Sequence, residues 1–171
     1  MTPDTVGPLS RPVDVMNLPP QGSEVHVQTT EEERAALAKD FGLPSIRSLI
    51  GDFKLKSSVK GVHVTGTVRA EVTQICVVTL DPFDSTISEE VEVDFAESSG
   101  IPPEPPTEMH EYEPPDEILN GQIDLGALTA EFLALGLDPY PRKPGVDFQY
   151  RDPADTDDSP FAALAKLKGK E

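Results

Sequence analysis

Hydrophobic residues alternate with polar ones over several short stretches of this chain, and a period of two residues is typical of β-strands with one buried face. The longest stretch covers residues 61–79, where the even positions are mostly apolar and the odd positions begin with polar residues. The same alternation recurs at 24–28, 52–60 and 85–95. Because only the turn at 80–84 separates the two longest stretches, we expect them to pair as antiparallel strands.

Two other stretches have the signals of helices. Thr30 and Glu33 have the spacing of a capping box, and Gly42 stands where a C-terminal cap belongs, which predicts a helix over about 30–41. Asp124 is an N-cap residue before a second helix, predicted over about 124–137 and ended by Pro139. The apolar stripe expected to cover the sheet consists of Leu125, Leu128, Phe132 and Leu135.

Prolines and acidic residues dominate 97–122, which holds six prolines. Proline neither donates to a regular ladder nor continues a helix, so this segment is predicted to be a flexible acidic linker. Near the end of the chain, Ser159 is an N-cap residue followed by Pro160 at the first helical position. A short C-terminal helix is therefore expected after residue 158.

Together these elements predict an α+β fold, in which two main helices cover a small, mostly antiparallel sheet. The length of 171 residues suits a single domain over 1–171. Its ordered core is expected over about 13–96 and 123–150, with 151–171 as a tail that carries the short helix.

The formal charge of −17 argues against broad, non-specific binding of nucleic acids, because that affinity comes mainly from lysine and arginine. The charge is unevenly distributed, however. Residues 34–69 hold seven basic side chains and two acidic ones, whereas 71–138 hold seventeen acidic side chains and no basic one. Any contact with RNA should therefore be local.

Motifs of enzymes are absent from the sequence: it has no phosphate-binding loop, dinucleotide fingerprint, zinc-protease helix or nucleophile elbow. The first residues lack the charged start and apolar run typical of a signal peptide, and no apolar run is long enough to span a membrane, so we expect neither secretion nor membrane insertion. One cysteine, Cys76, allows neither an intramolecular disulfide nor a four-cysteine zinc site. Since Cys76 lies on the apolar face of the longest strand with nothing nearby to lower its pKa, we expect a buried, inert thiol, no metal and no cofactor.

Three segments of the chain resemble one protein family. Val64–Pro82 is similar to the central motif of the YceD family, the large ribosomal RNA subunit accumulation proteins. The segment Ile123–Gly145 is similar to the family's C-terminal block, and 159–167 resembles its ending. The resemblance extends over about 13–168.

Many members of this family carry a Cys-x-x-Cys pair in the central motif, whereas Thr79 stands in the second position here. The chain thus resembles an alphaproteobacterial-type member without the second cysteine, and a shared metal or redox role is doubtful for it. The resemblance implies a cytoplasmic, non-catalytic role in the synthesis, processing or stability of large-subunit ribosomal RNA. No small-molecule substrate and no membrane partner are expected.

The first hypothesis on the partner is a precursor of that RNA, or an early ribosomal particle, bound through basic residues. The loop 138–145 offers a ring for stacking and two cations in a backbone stiffened by prolines. The competing interpretation, which the weak RNA signal favours, is a rigid connector after a helix. The candidate RNA-binding residues are Arg47, Lys54, Lys56, Lys60, Arg69, Tyr140, Arg142 and Lys143.

The second hypothesis is an acidic escort that holds a basic ribosomal protein of the large subunit and leaves RNA alone. The uninterrupted acidic charge of the linker favours it. The candidate residues for this protein contact are Glu104, Glu108, Glu111 and Glu113.

Overall fold

A computed structural model of the protein describes residues 7–59, 61–97 and 115–148. The C-terminal helix predicted after residue 158, the tail, and 98–114 of the predicted linker lie outside these residues. The elements in chain order are β1 (Pro12–Asp14), β2 (Ser23–Gln28), α1 (Glu31–Asp40), β3 (Ser45–Ser58), β4 (Gly61–Ile75), β5 (Pro82–Glu97), β6 (Asp116–Ile118), β7 (Gln122–Asp124) and α2 (Leu125–Gly136).

Five of the strands form one sheet in the order β2–β3–β4–β5–β6. The first three pairings are antiparallel, and only the short β5–β6 pairing is parallel. Strands β1 and β7 pair separately as a two-stranded ribbon. The predicted α+β class with a mostly antiparallel sheet is thereby confirmed, as is the antiparallel pairing of the two longest strands.

Alternation along β4 sets the two faces of the sheet. Val64, Val68 and Val72 are buried on one face, against α2 and the neighbouring strands, while the odd positions of β4 point to the other face. Burying these side chains removes apolar surface from water and supplies the main stabilisation of the sheet. The opposite face, which we call the outer face, is polar.

Two strand boundaries differ from the prediction by four residues or more. Strand β3 begins at Ser45 rather than near residue 52, because a bulge at Arg47 interrupts the alternation that would have revealed Ile46 and Leu49 as buried strand residues. Strand β4 ends at Ile75 rather than at 79. The apolar alternation continues past this point, but the backbone turns at Cys76.

The helix α1 begins and ends as its sequence signals predict. The Thr30 hydroxyl accepts the Glu33 N–H at 3.2 Å, and the Glu33 carboxylate accepts the Thr30 N–H at 2.8 Å, which completes the capping box. Gly42 ends the helix with a φ of +65°, a conformation that glycine adopts without strain. The helix packs on β3 through Leu37 and Ala38.

The helix α2 lies on the core face of the sheet, with the Asp124 carboxylate capping its first turn at 2.9 Å from the Gly126 N–H. The buried side of α2 differs from the predicted stripe. Leu125 and Leu128 are buried as expected, but Leu133 is the third buried leucine, while Leu135 is 74% exposed. Asp124 also accepts the Arg11 N–H, which ties the N-terminal segment to α2 and extends the core to the buried Leu9, before residue 13.

Residues 115–122, which the sequence assigns to the linker, instead contain β6 and a tight turn. Asn120 and Gly121 both have positive φ angles, +53° and +72°, and the Gln122 N–H donates to the Leu119 carbonyl. The apolar side chains of Ile118 and Ile123 are buried on either side of this turn. Their burial is the reason that this acidic stretch is structured.

No helix among the described residues has both the length and the apolar character that crossing a membrane requires.

Candidate functional site

The turn between β4 and β5 forms a compact knob at one end of the sheet. The Leu80 N–H donates to the Cys76 carbonyl and the Cys76 N–H to the Asp81 carbonyl, both at 2.9 Å. Leu80 has a φ of +61°, which is unfavourable for a bulky side chain, and it is nevertheless 74% exposed. Backbone strain of this kind is often found at sites of function.

The segment that follows α2 lies across this turn. The Val77 N–H donates to the Pro141 carbonyl at 2.9 Å, and the Lys143 N–H donates to the Cys76 sulfur at 3.4 Å. A weaker contact joins the Gln74 side-chain amide to the Asp138 carbonyl at 3.4 Å. Residues 138–145, which we call the proline loop, are thus held against the β4–β5 turn, and two separate sequence motifs meet in space.

Cys76 is at the centre of this junction and its side chain is fully buried, as the sequence predicts. The expectation that nothing nearby lowers its pKa is wrong. The Lys143 N–H, the Thr79 hydroxyl and the backbone N–H groups of Thr79 and Val78 together lower the pKa of the thiol to about 7. All of these donors come from the turn and the proline loop, and the alternating pattern of strand residues does not reveal them.

The proline loop presents its three candidate residues to solvent. Tyr140 is 71% exposed, and Arg142 and Lys143 are exposed as well. The Tyr140 N–H donates to the Asp138 carboxylate at 2.9 Å, which fixes the backbone at the ring. Within the described part of the chain, neither Arg142 nor Lys143 forms an ion pair.

The basic candidates of the outer face have different surroundings. Arg47 pairs with Asp84 at 2.7 Å, and Lys54 pairs with Glu24 at 3.1 Å. Lys56 is exposed and has no ion-pair partner among the residues described, and Lys60 lies outside them. Glu24 lies on the neighbouring strand β2 and Asp84 on β5, two strands away from β3, so the outer face is of mixed charge.

Arg69 belongs to a three-residue network on the same face. It donates to one oxygen of Asp52 at 2.6 Å, while His26 Nδ1 lies 2.5 Å from the other oxygen. The hydrogen bond to His26, followed by the one to Arg69, lowers the pKa of Asp52. The cation that was expected to attract RNA is here engaged with a carboxylate.

The four glutamates assigned to a protein contact lie outside the described residues, but a related acidic groove lies within them. It is bounded by β6, the β1–β7 ribbon and α2, and it is lined by Asp116, Glu117 and Glu131, with no lysine or arginine. Burial, followed by the charge of Asp116, raises the pKa of Glu131. Such a groove favours a partner that brings positive charge.

Sequence reasoning missed the exposed apolar side chains of the turn, Val77 and Leu80. Val77 lies within the stretch 61–79 that the sequence predicts to be a strand, and Leu80 lies at the start of the predicted turn at 80–84. The dipeptide Asp81–Pro82 was the available signal for an earlier end, because proline restricts the backbone of the residue before it.

Comparison with known proteins identifies one family, and its match contains both segments of this junction. Residues 64–168, more than half of the chain, match the family described as "Large ribosomal RNA subunit accumulation protein YceD". The match includes both the β4–β5 turn and the proline loop. No curated protein and no solved structure matches the chain.

Proposed function

We propose a function for this chain from its family: it belongs to the YceD family of large ribosomal RNA subunit accumulation proteins. The protein would be a non-catalytic ribosome-biogenesis factor that binds precursor RNA or an early particle. The role would support the synthesis, processing or stability of large-subunit ribosomal RNA. It would be carried out in the cytoplasm. Family membership supports a role in the accumulation of the large ribosomal subunit RNA, and direct contact with RNA is our inference.

The observation that carries this proposal is that both cations of the proline loop lack an ion pair among the described residues, whereas on the outer face Arg47, Lys54 and Arg69 are paired and only Lys56 is not. Arg142 and Lys143 are exposed without an ion pair in the described part of the chain, so phosphate groups would not have to displace a carboxylate. The loop is also held in place by the Val77 and Lys143 hydrogen bonds. A site ordered before binding loses less conformational entropy when its ligand arrives.

Tyr140 adds a second kind of contact. Its exposed ring stands two residues before Arg142, and an aromatic ring can stack on an unpaired base while a neighbouring cation contacts the phosphate. We therefore propose Tyr140, Arg142 and Lys143 as the principal contacts. Arg47, Lys54, Lys56, Lys60 and Arg69 are proposed as secondary ones.

Affinity capture of the tagged full-length protein, with and without ribonuclease, tests the proposal. We expect large-subunit precursor RNA to be recovered and its recovery to fall strongly for Arg142→Glu combined with Lys143→Glu. The matched control is Lys54→Glu combined with Lys56→Glu, which changes the charge by the same amount on the outer face. Equal loss from both variants would contradict the assignment to the proline loop.

The alternative function is an acidic escort that binds a basic ribosomal protein of the large subunit. The acidic groove beside β6 favours it, because a lysine or arginine entering there would relieve the repulsion between Glu131 and Asp116. In that case capture would resist ribonuclease and tolerate the loop variant. It would be lost when Glu104, Glu108, Glu111 and Glu113 are changed to glutamine.

A further inference from the structure

The free side of β5 is the longest open strand edge in the described part of the protein. Strand β4 pairs with one side of β5 from Pro82 to Phe95, whereas β6 occupies the other side only from Phe95 to Glu97. Among the described residues, no strand covers that side over 82–94. Such an edge presents unpaired N–H and C=O groups and is a template for a further strand.

The chemistry of this edge is acidic throughout its second half. The strand carries no lysine or arginine from Pro82 to Glu97, and its acidic residues in that half are Glu89, Glu90, Glu92, Asp94 and Glu97. Among the described residues, only His63 lies within ion-pair distance of any of them, at 2.7 Å from Asp94 and 3.9 Å from Glu92.

A strand added at this edge would need different side chains on its two faces. Glu90, Glu92 and Asp94 point to the outer face, where cross-strand partners of opposite charge are stabilising. On the core face, Val93 remains only partly buried beside the buried Val91. A strand that alternates basic and apolar residues would satisfy both faces at once.

We propose that the open edge of β5 binds an extended, lysine- or arginine-rich segment of a protein by adding it as a strand to the sheet. The short pairing of β6 at the end of the same edge demonstrates that this side of β5 accepts main-chain hydrogen bonds. The acidic rows disfavour a second copy of the chain, because like charges would face each other. This site is separate from the proline loop and does not depend on RNA binding.

The probe for this site is a short acetylated peptide of alternating lysine and valine, mixed with the full-length protein and followed by hydrogen exchange. Because neighbouring residues of a strand direct their N–H groups to opposite sides, we expect every second amide between Phe83 and Asp94 to gain protection. The corresponding peptide with glutamate in place of lysine should protect none of them. Protection elsewhere, or none, would overturn the proposal.

Charge variants separate strand addition from general attraction to an acidic protein. Glu90→Lys combined with Glu92→Lys should weaken binding of the fluorescent lysine–valine peptide by about tenfold or more, as read by anisotropy. The matched control, Glu24→Lys combined with Glu71→Lys, makes the same charge change on β2 and β4 and should stay within about twofold. Equal losses in both variants would overturn the proposal.

The protein without peptide gives the remaining outcomes. Protection of alternate amides over 83–94 together with sedimentation as a dimer would assign the edge to a second copy. The same protection in a monomer would assign it to another segment of this chain. Either result would overturn binding of a basic partner at this edge.

Discussion

The cations of the outer face and those of the proline loop differ in what surrounds them. On the outer face, Lys54 stands directly opposite Glu24 of the neighbouring strand, and Arg69 reaches Asp52 from the next strand. In the proline loop, Arg142 and Lys143 form no ion pair with any residue that the structure describes. Both groups look equally basic in the sequence.

The register of the strands, more than the local density of lysine and arginine, decides which cations are already paired with a carboxylate. Antiparallel pairing places residues far apart in sequence side by side, and here acidic residues lie next to Arg47, Lys54 and Arg69, three of the six described cations between 34 and 69. A paired cation must give up its carboxylate before it binds phosphate. An unpaired one only exchanges its counterion for the phosphate.

The largest effect that we expect distinguishes the two groups by salt dependence. For Arg142→Glu combined with Lys143→Glu, the slope of log affinity for precursor RNA against log salt should fall by about 2, since each lost phosphate contact removes roughly 1. The outer-face variant with Lys54, Lys56 and Lys60 changed to glutamate should alter the slope much less. Filter binding over a range of salt measures both, and the reverse ranking would move the RNA site to the sheet.

A second prediction concerns a paired cation that holds the fold together. The Arg11 guanidinium donates two hydrogen bonds to the Glu33 carboxylate, of 2.8 and 2.9 Å. The contact with Arg11 is the largest cause, and the Thr30 N–H the next, of the lowering of the Glu33 pKa to about 2. Glu33→Gln should reduce the free energy of unfolding at neutral pH by about 1–2 kcal/mol, because the capping box and the ion pair are both weakened.

The pH dependence of this loss has a defined sign. The pKa of Glu33 is below its ordinary value of 4.5 in the folded protein, so its stabilisation is complete above pH 4.5 and disappears as the pH falls toward 2. Chemical denaturation of the wild type and the variant should therefore converge over that range. A constant difference down to pH 2 would mean that the carboxylate charge is not the cause.

A third and smaller effect is expected on the outer face. Arg69→Ala should raise the pKa of Asp52 only part of the way to its ordinary value, since the hydrogen bond from His26, the larger cause of the lowering, remains. The free energy of unfolding should change by less than about 1 kcal/mol, as is usual for exposed ion pairs. A carbon NMR titration of the Asp52 carboxyl and a thermal melt measure the two quantities. A loss similar to that of Glu33→Gln would remove the distinction between exposed pairs and the capping pair.

A further prediction concerns the thiol beneath the proline loop. The pKa of Cys76 is lowered from 9.0 to about 7, so the folded state favours the thiolate, and stability relative to Cys76→Ala should rise between pH 7 and pH 9. Alkylation of the native protein should still be slow, because the sulfur is fully buried. Denaturation midpoints at several pH values test the first point. Parallel pH profiles for the two proteins would show that the Lys143 N–H does not stabilise a thiolate.

Local signals in the sequence determined the helix boundaries and most of the sheet. Thr30 and Glu33 specify the start of α1, and Asp124 specifies the start of α2, because capping depends on residues within one turn of the chain. The alternation of Val64, Val68 and Val72 specifies the buried face of β4 for a similar reason. The Asn120–Gly121 dipeptide was also a readable signal for a tight turn, although the surrounding acids and prolines concealed it.

Tertiary structure alone decided which candidate cations are paired with carboxylates. The ion pairs of the outer face arise from register between β2, β3, β4 and β5, and the bulge at Arg47 shifts that register without any clear mark in the sequence. The lowered pKa of Cys76 depends largely on a donor 67 residues away along the chain, the Lys143 N–H. Electrostatic interactions depend on distance in space, so the sequence identifies the lysines and arginines but not the carboxylates that pair with them.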